Sequence, residues 1–161
     1  ISCGRGGVIE KETKSFLKTL SQESSIPFGT VWVEPSIIPD KPPNWMKKAT
    51  FNSQMYENVI AAVIRPGIGT VTNALAAGAR IFSFYEPGNK EMRENGFRIE
   101  KYNCGIDSSS IEIAWNKAVK YANDEQAKMQ HFKALKSIDL EGAEEASRIL
   151  YKYIQNMEDV L

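Results

Sequence analysis

The stretch Ala62-Val63-Ile64-Arg65-Pro66-Gly67-Ile68-Gly69-Thr70-Val71-Thr72-Asn73-Ala74-Leu75-Ala76-Ala77-Gly78 decides the fold. Its first four residues form a brief apolar run, the kind a strand buried in a parallel sheet shows. Pro66-Gly67-Ile68-Gly69 breaks that run. Thr70 to Ala77 then reads as a helix, stopped by Gly78 where a helix C-cap favours glycine. Ile81 to Tyr85 is the next strand, closed by Glu86-Pro87-Gly88. Strand, glycine turn, helix and strand in this order predict right-handed βαβ units and a parallel sheet covered on both faces.

Upstream, Ile1-Ser2-Cys3 reads as a short strand running into Gly4-Arg5-Gly6-Gly7. Ile9, Thr13, Phe16, Leu17 and Leu20 recur at helical spacing, which predicts an amphipathic helix over 9–22. Phe28 to Val33 is rich in β-branched and aromatic residues and reads as a strand. The four prolines between Glu34 and Asn44 (Pro35, Pro39, Pro42 and Pro43) mark a loop. A short strand is expected near Ala49 to Asn52, then a helix over 54–60 capped by Ser53. Downstream, a helix is expected from Asn89 or Lys90 to Tyr102, ended by Gly105. The rest reads as helical, with apolar stripes at Ile111, Ala114, Trp115, Ala118, Val119 and Ala122, and again from Ala143 to Met157. The expected fold is α/β: one domain over 1–161, a Rossmann-like parallel sheet of about six strands with helices on both faces.

Composition narrows the function. Lys+Arg and Asp+Glu stand at 20 each, so the basic excess that phosphate-backbone binding needs is missing, and no nucleic-acid partner is expected. Cys3 and Cys104 are too few and too far apart for a disulfide framework, which fits a reducing, cytoplasmic setting. No apolar run approaches the roughly 18 residues of a membrane span. A start at Ile1 inside a strand, with no Met, reads as a cut from a longer chain.

The glycine turn carries the chemistry. Gly67 and Gly69 let backbone approach a ligand, and Ile68, Gly69 and Thr70 offer free amides at a helix N-terminus, a site for an anion such as a diphosphate. The hydroxyls of Thr70 and Thr72 add donors. The turn is neither a Walker A loop nor a dinucleotide fingerprint. On spacing alone, a ligand-free strand–helix turn is as good a reading as an anion site.

The run from Arg65 to Gly78 resembles the donor-site signature of GT-B glycosyltransferases, among them the lipid II GlcNAc transferase and the UDP-sugar transferases. Ile81 to Pro87 is similar to their next strand and loop, Glu91-Met92-Arg93-Glu94-Asn95 to their acidic-Gln-x-x-Asn segment, and Gly4-Arg5-Gly6-Gly7 to their first glycine loop. The resemblance is dense over 62–105 and looser elsewhere. It implies the C-terminal, donor-binding half of such an enzyme. Gly4, Arg5, Gly6, Gly67, Ile68, Gly69 and Thr70 would then hold the donor diphosphate. Asn52 and Asn73 would face nucleobase and ribose, and Glu91 and Met92 the donor sugar.

Two departures stand out. Asn73 replaces the family's ribose-binding acid, and Met92 replaces its sugar-binding Gln. No cofactor or metal is expected. The acceptor base belongs to the family's N-terminal half, so no catalytic residue is assigned. The resemblance implies as partners a nucleotide-sugar and an N-terminal acceptor domain or partner subunit, with homodimerisation open to the isolated domain. Two other readings stand beside it: a non-catalytic binding scaffold, and a sugar-nucleotide epimerase using Glu86, Glu91 or Glu94. His131 is expected on a helix surface or partly packed, away from the site, and the tryptophans in packing, with Trp45 the best exception as a sugar platform.

Overall fold

The computed structural model describes residues 1–4, 7–138 and 148, and the Ser53 side chain is not described. Arg5 and Gly6 of the first glycine loop, and the stripe from Ala143 to Met157, lie outside the described residues.

The chain is α/β, with parallel sheets and helices. Helix α1 (Gly7–Leu20) precedes strands β1 (Val31–Val33) and β2 (Met46–Lys48), which pair in parallel. A single helical turn, α2 (Ser53–Tyr56), leads to β3 (Ala61–Ile64), α3 (Ile68–Ala76), β4 (Arg80–Phe84), α4 (Lys90–Lys101) and β5 (Gly105–Ser108). The last three strands form a parallel sheet in the order β3-β4-β5. Helices α5 (Ile111–Ala122) and α6 (Glu125–Leu135) follow.

The expected sheet of about six strands is not what forms. Among the described residues, sheets of two and three strands are present instead. Ile1–Cys3 contributes one isolated bridge, Ser2 to Ile64, rather than a ladder. Other boundaries differ too: β1 begins at Val31 rather than Phe28, and α2 stops at Tyr56 instead of running over 54–60. The second strand is Met46–Lys48, not Ala49 to Asn52, where the left-handed backbone of Phe51 (φ 53°) breaks any extended run. Gly105 opens β5 instead of merely ending a helix. Gly-Ile-Asp-Ser has no apolar pattern; its pairing with β4 decides it.

Alternation along the strands separates two cores. Val63, Phe82 and Phe84 point to one face, where Leu17 of α1 and Ala114, Trp115 and Ala118 of α5 cover them. Ala62, Ile64 and Ile81 point to the other, against Ala74 and Leu75 of α3 and Ile99 of α4. Ile81, Phe82, Ser83 and Phe84 of the middle strand are completely buried. Gly105 lets β5 lie close to β4: a Cβ there would sit 2.1 Å from the Ile81 carbonyl oxygen. Side chains cap the later helices, Asn89 for α4, Ser110 for α5 and Asp124 for α6, each accepting a first-turn amide. Each cap is worth about 1 kcal/mol.

His131 is not a surface residue. It is 1% exposed, its Nε2 lies 3.2 Å from the Gly78 carbonyl, and its ring meets Tyr121 edge-on. Helical periodicity in α6 is weak, and only the fold reveals that His131 docks on the C-cap of α3.

Candidate functional site

The parallel strands end together, and their loops gather at one edge. Gly4 follows Ile1–Cys3, Arg65 follows β3, and Glu86 lies two residues beyond β4. Arg65 grips Glu86 with both ends of its guanidinium: Nε donates to one carboxylate oxygen at 3.0 Å and Nη2 to the other. The Glu86 carboxyl is held down to about 2, first by this bond, with burial opposing and Asn89 assisting. Asn89 donates to Glu86 at 2.7 Å, while its oxygen accepts the Met92 amide and so starts α4. Asn95, one turn further along α4, donates to the Pro66 carbonyl at 2.8 Å and ties α4 to the glycine turn. The Arg65 side chain also lies against Gly4, its Nη1 3.6 Å from where a Cβ would stand.

Helix α3 starts inside the glycine turn. Gly67 is its N-cap, in extended conformation, and no side chain caps the helix. A glycine cap leaves the first-turn amides without the acceptor that Ser or Asp would bring. Ile68 is 67% exposed, Gly69 is exposed and Thr70 is half-buried, so this end of α3 faces outward. The Thr72 hydroxyl donates to the Ile68 carbonyl at 3.0 Å, inside the helix.

The remaining site residues are more scattered. Asn73 is exposed and faces the Tyr56 phenol. Asn52 supplies a side-chain bond at the start of α2, accepting the Met55 amide at 2.9 Å. Glu91 is exposed and near enough to Arg65 to favour its charge, whereas Met92 is only 4% exposed and faces inward. Trp45 packs against the core rather than forming an open platform.

Sequence reasoning missed Glu34. Its carboxylate accepts the Ser2 hydroxyl at 2.7 Å and the amides of Cys3 and Gly4 at 3.1 and 3.3 Å, and the Ser36 hydroxyl donates to its other oxygen. Burial works against this charge. The two hydroxyls and two amides together outweigh burial and hold the carboxyl below its ordinary value. Glu34 thus occupies amide donors of the first glycine loop. Its place at the head of a Pro-rich loop carries no motif that would have flagged it.

The described surface includes two hollows of different size. The larger, about 610 Å³, lies between β1 and β3, and among the described residues Thr70 is the one proposed diphosphate residue in its wall. The smaller, about 370 Å³, lies beyond β4 and β5 among Tyr85, Glu100, Asp107 and Ser108. There Asp107 accepts the Ser83 and Tyr85 hydroxyls at 2.6 and 2.8 Å. Burial and then this bond to Asp107 push the Tyr85 phenol up to about 12.

Among the described residues no three of His, Cys, Asp and Glu gather closely enough to hold a metal ion. Among them, too, no helix is long and apolar enough to cross a membrane. No protein-family model matches the chain, and no curated protein matches it.

Proposed function

We propose that the chain binds a nucleoside-diphosphate sugar, most simply a UDP-sugar, as the donor half of a GT-B-type glycosyltransferase. The observation that carries this reading is the uncapped, outward-facing N-terminus of α3 at the carboxyl end of β3. That edge of an α/β sheet is where ligands bind, and a helix N-terminus stabilises the negative charge of a diphosphate. Resemblance of Arg65 to Gly78 to the donor signature supplies the substrate class. In transfer, the Ile68, Gly69 and Thr70 amides would stabilise charge building on the departing diphosphate.

The neighbourhood also shapes the pose. Glu34 already holds the Gly4 amide and places a negative charge beside it. A diphosphate therefore sits on the α3 side of the cleft, with Arg65, charged beside Glu86, at its flank. Acceptor and acceptor base would come from an N-terminal domain or a partner subunit.

Calorimetric titration with UDP, UDP-GlcNAc, GDP and TDP tests the reading, repeated on Gly69→Val. A Cβ at Gly69 meets nothing within 4 Å, so the first atom of the new side chain is accommodated beside the amides, and the variant is titrated once circular dichroism shows it folded. Selective binding of one nucleotide, weakened at least about tenfold in Gly69→Val, is the expected result. Absence of binding by the folded chain, alone and with an acceptor domain supplied, would sink it.

A second reading, nucleotide binding without turnover, is favoured by the burial of Met92 and the pairing of Glu86 with Arg65. Neither side chain is then free to serve a sugar. Affinity retained with no transfer or hydrolysis would select it.

A further inference from the structure

The larger hollow has the shape of a gap in a sheet. Its walls come from both faces: Trp115 and Ala118 of α5 on one side, Met55 and Ala74 on the other, with β1 and β3 as its edges. Helices on opposite faces of a sheet share one hollow only where a strand between them is lacking.

Backbone directions on both edges agree. In β1, the Val31 amide donates to Trp45 and the Val33 carbonyl accepts from Ala49, so these odd-numbered residues bond toward β2. Bonding groups alternate along a parallel strand, and Thr30 and Trp32 turn theirs into the hollow. In β3, the Ile60 carbonyl accepts from Arg80 on the β4 side, and Ala61 and Val63 face the hollow.

Ile1 and Ser2 already show how these edges are used. The Ile1 amino group donates to the Trp32 carbonyl, and the Ile1 carbonyl accepts the Glu34 amide at 2.9 Å. The Ser2 amide donates to the Val63 carbonyl at 3.1 Å, and the Ser2 carbonyl accepts the Arg65 amide at 3.0 Å. Continued backward by the same register, the residue before Ile1 meets the Ala61 carbonyl and the Val63 amide. The one before that meets the Thr30 carbonyl and the Trp32 amide. No hydrogen bond to these four groups is found among the described residues. Val63 is buried and Thr30, Trp32 and Ala61 are half-buried, and unpaired strand edges of this kind are ready templates for another strand.

We infer that the hollow is the seat of a further strand: a short apolar run joined to the amino end of Ile1, parallel to β1 and β3 and uniting the two sheets. Its side chains alternate between the Trp115–Ala118 wall and the Met55–Ala74 wall. Apolar side chains predominate in both walls, beside Tyr56, Asn58 and Thr70, so the run is mainly apolar, as Ile81–Phe84 with its single Ser83 is in β4.

Hydrogen exchange at the Trp32 and Val63 amides tests this on three forms of the chain: unextended, preceded by Val-Val-Ile-Val, and preceded by Gly-Ser-Gly-Ser. The apolar extension should slow both amides at least about tenfold and raise the thermal midpoint, and the Gly-Ser extension should do neither. Equal exchange in all three forms overturns the inference. So does slow exchange in the unextended chain, which means other residues already close the edges. Protection by the tetrapeptide added free, but not when joined, overturns the covalent origin. Protection by UDP alone assigns the hollow to the nucleotide instead. Loss of UDP binding in Gly69→Val bears on the α3 site and leaves the strand untouched.

Discussion

Two buried groups tie stability to pH at the residue scale. In the unextended chain the Ile1 amino group is enclosed and its pKa falls from 8.0 to about 5, through burial, with Glu34 opposing. The folded state therefore holds it neutral, while the unfolded chain takes up a proton below 8.0. Stability rises as pH climbs from about 5 to 8, by up to about 4 kcal/mol. His131, lowered by burial and then by Arg80, has the same sign below the ordinary histidine value of 6.5. Urea midpoints of the unextended chain across this range should slope upward with pH, and N-terminal acetylation should remove most of the slope. An unchanged slope after acetylation would assign it to His131 alone. The Arg65–Glu86 pair acts at more acid pH: its contribution is present above the ordinary carboxyl value of 4.5 and lost toward about 2. The pair is partly exposed, so Glu86→Gln should cost only about 1 kcal/mol at neutral pH, read as a shift in urea midpoint.

Individual elements were unequally legible. The unit from Ala62 to Tyr85 could be read because its apolar run, glycine turn and helix stop are each local signals. Helix α4 was equally plain, with Asn89 as cap and Tyr102 just past its end. β5 was not, since Gly105-Ile106-Asp107-Ser108 becomes a strand only by pairing with β4. Its defining residue is Gly105, where the near contact is backbone and cannot move aside. Gly105→Ala should therefore destabilise by more than about 3 kcal/mol, or prevent folding, as followed by circular dichroism in urea. Of the proposed donor residues, the α3 amides were legible because glycine spacing encodes them. Glu34 was not, because its role depends on Ser2 and Gly4 lying some thirty residues away, brought near by pairing.

Across the whole molecule, two apolar layers sandwich the parallel strands, and β4 serves both. Phe82→Ala should cost about 3–5 kcal/mol, and Ile99→Val on the opposite face only about 0.5–1.5. Typical domains have about 5–15 kcal/mol in all, so Phe82→Ala should sit near the unfolding threshold at room temperature, a contrast that chemical denaturation would register. Sheet count was the least legible property, because it turns on whether Ile1–Cys3 bonds one neighbour or two over a sufficient length. That segment also has a consequence in time. During synthesis it leaves the ribosome before either neighbour exists, and Val63 follows Ser2 by roughly 60 residues. At ~5–20 residues per second the wait for β3 is about 3–12 s, and β1, which bonds Ile1, arrives about halfway through it. Helix α1 can form early from local contacts, but the strand before it must keep one edge open until β3 emerges, so a segment made ahead of both its neighbours is completed only with the second.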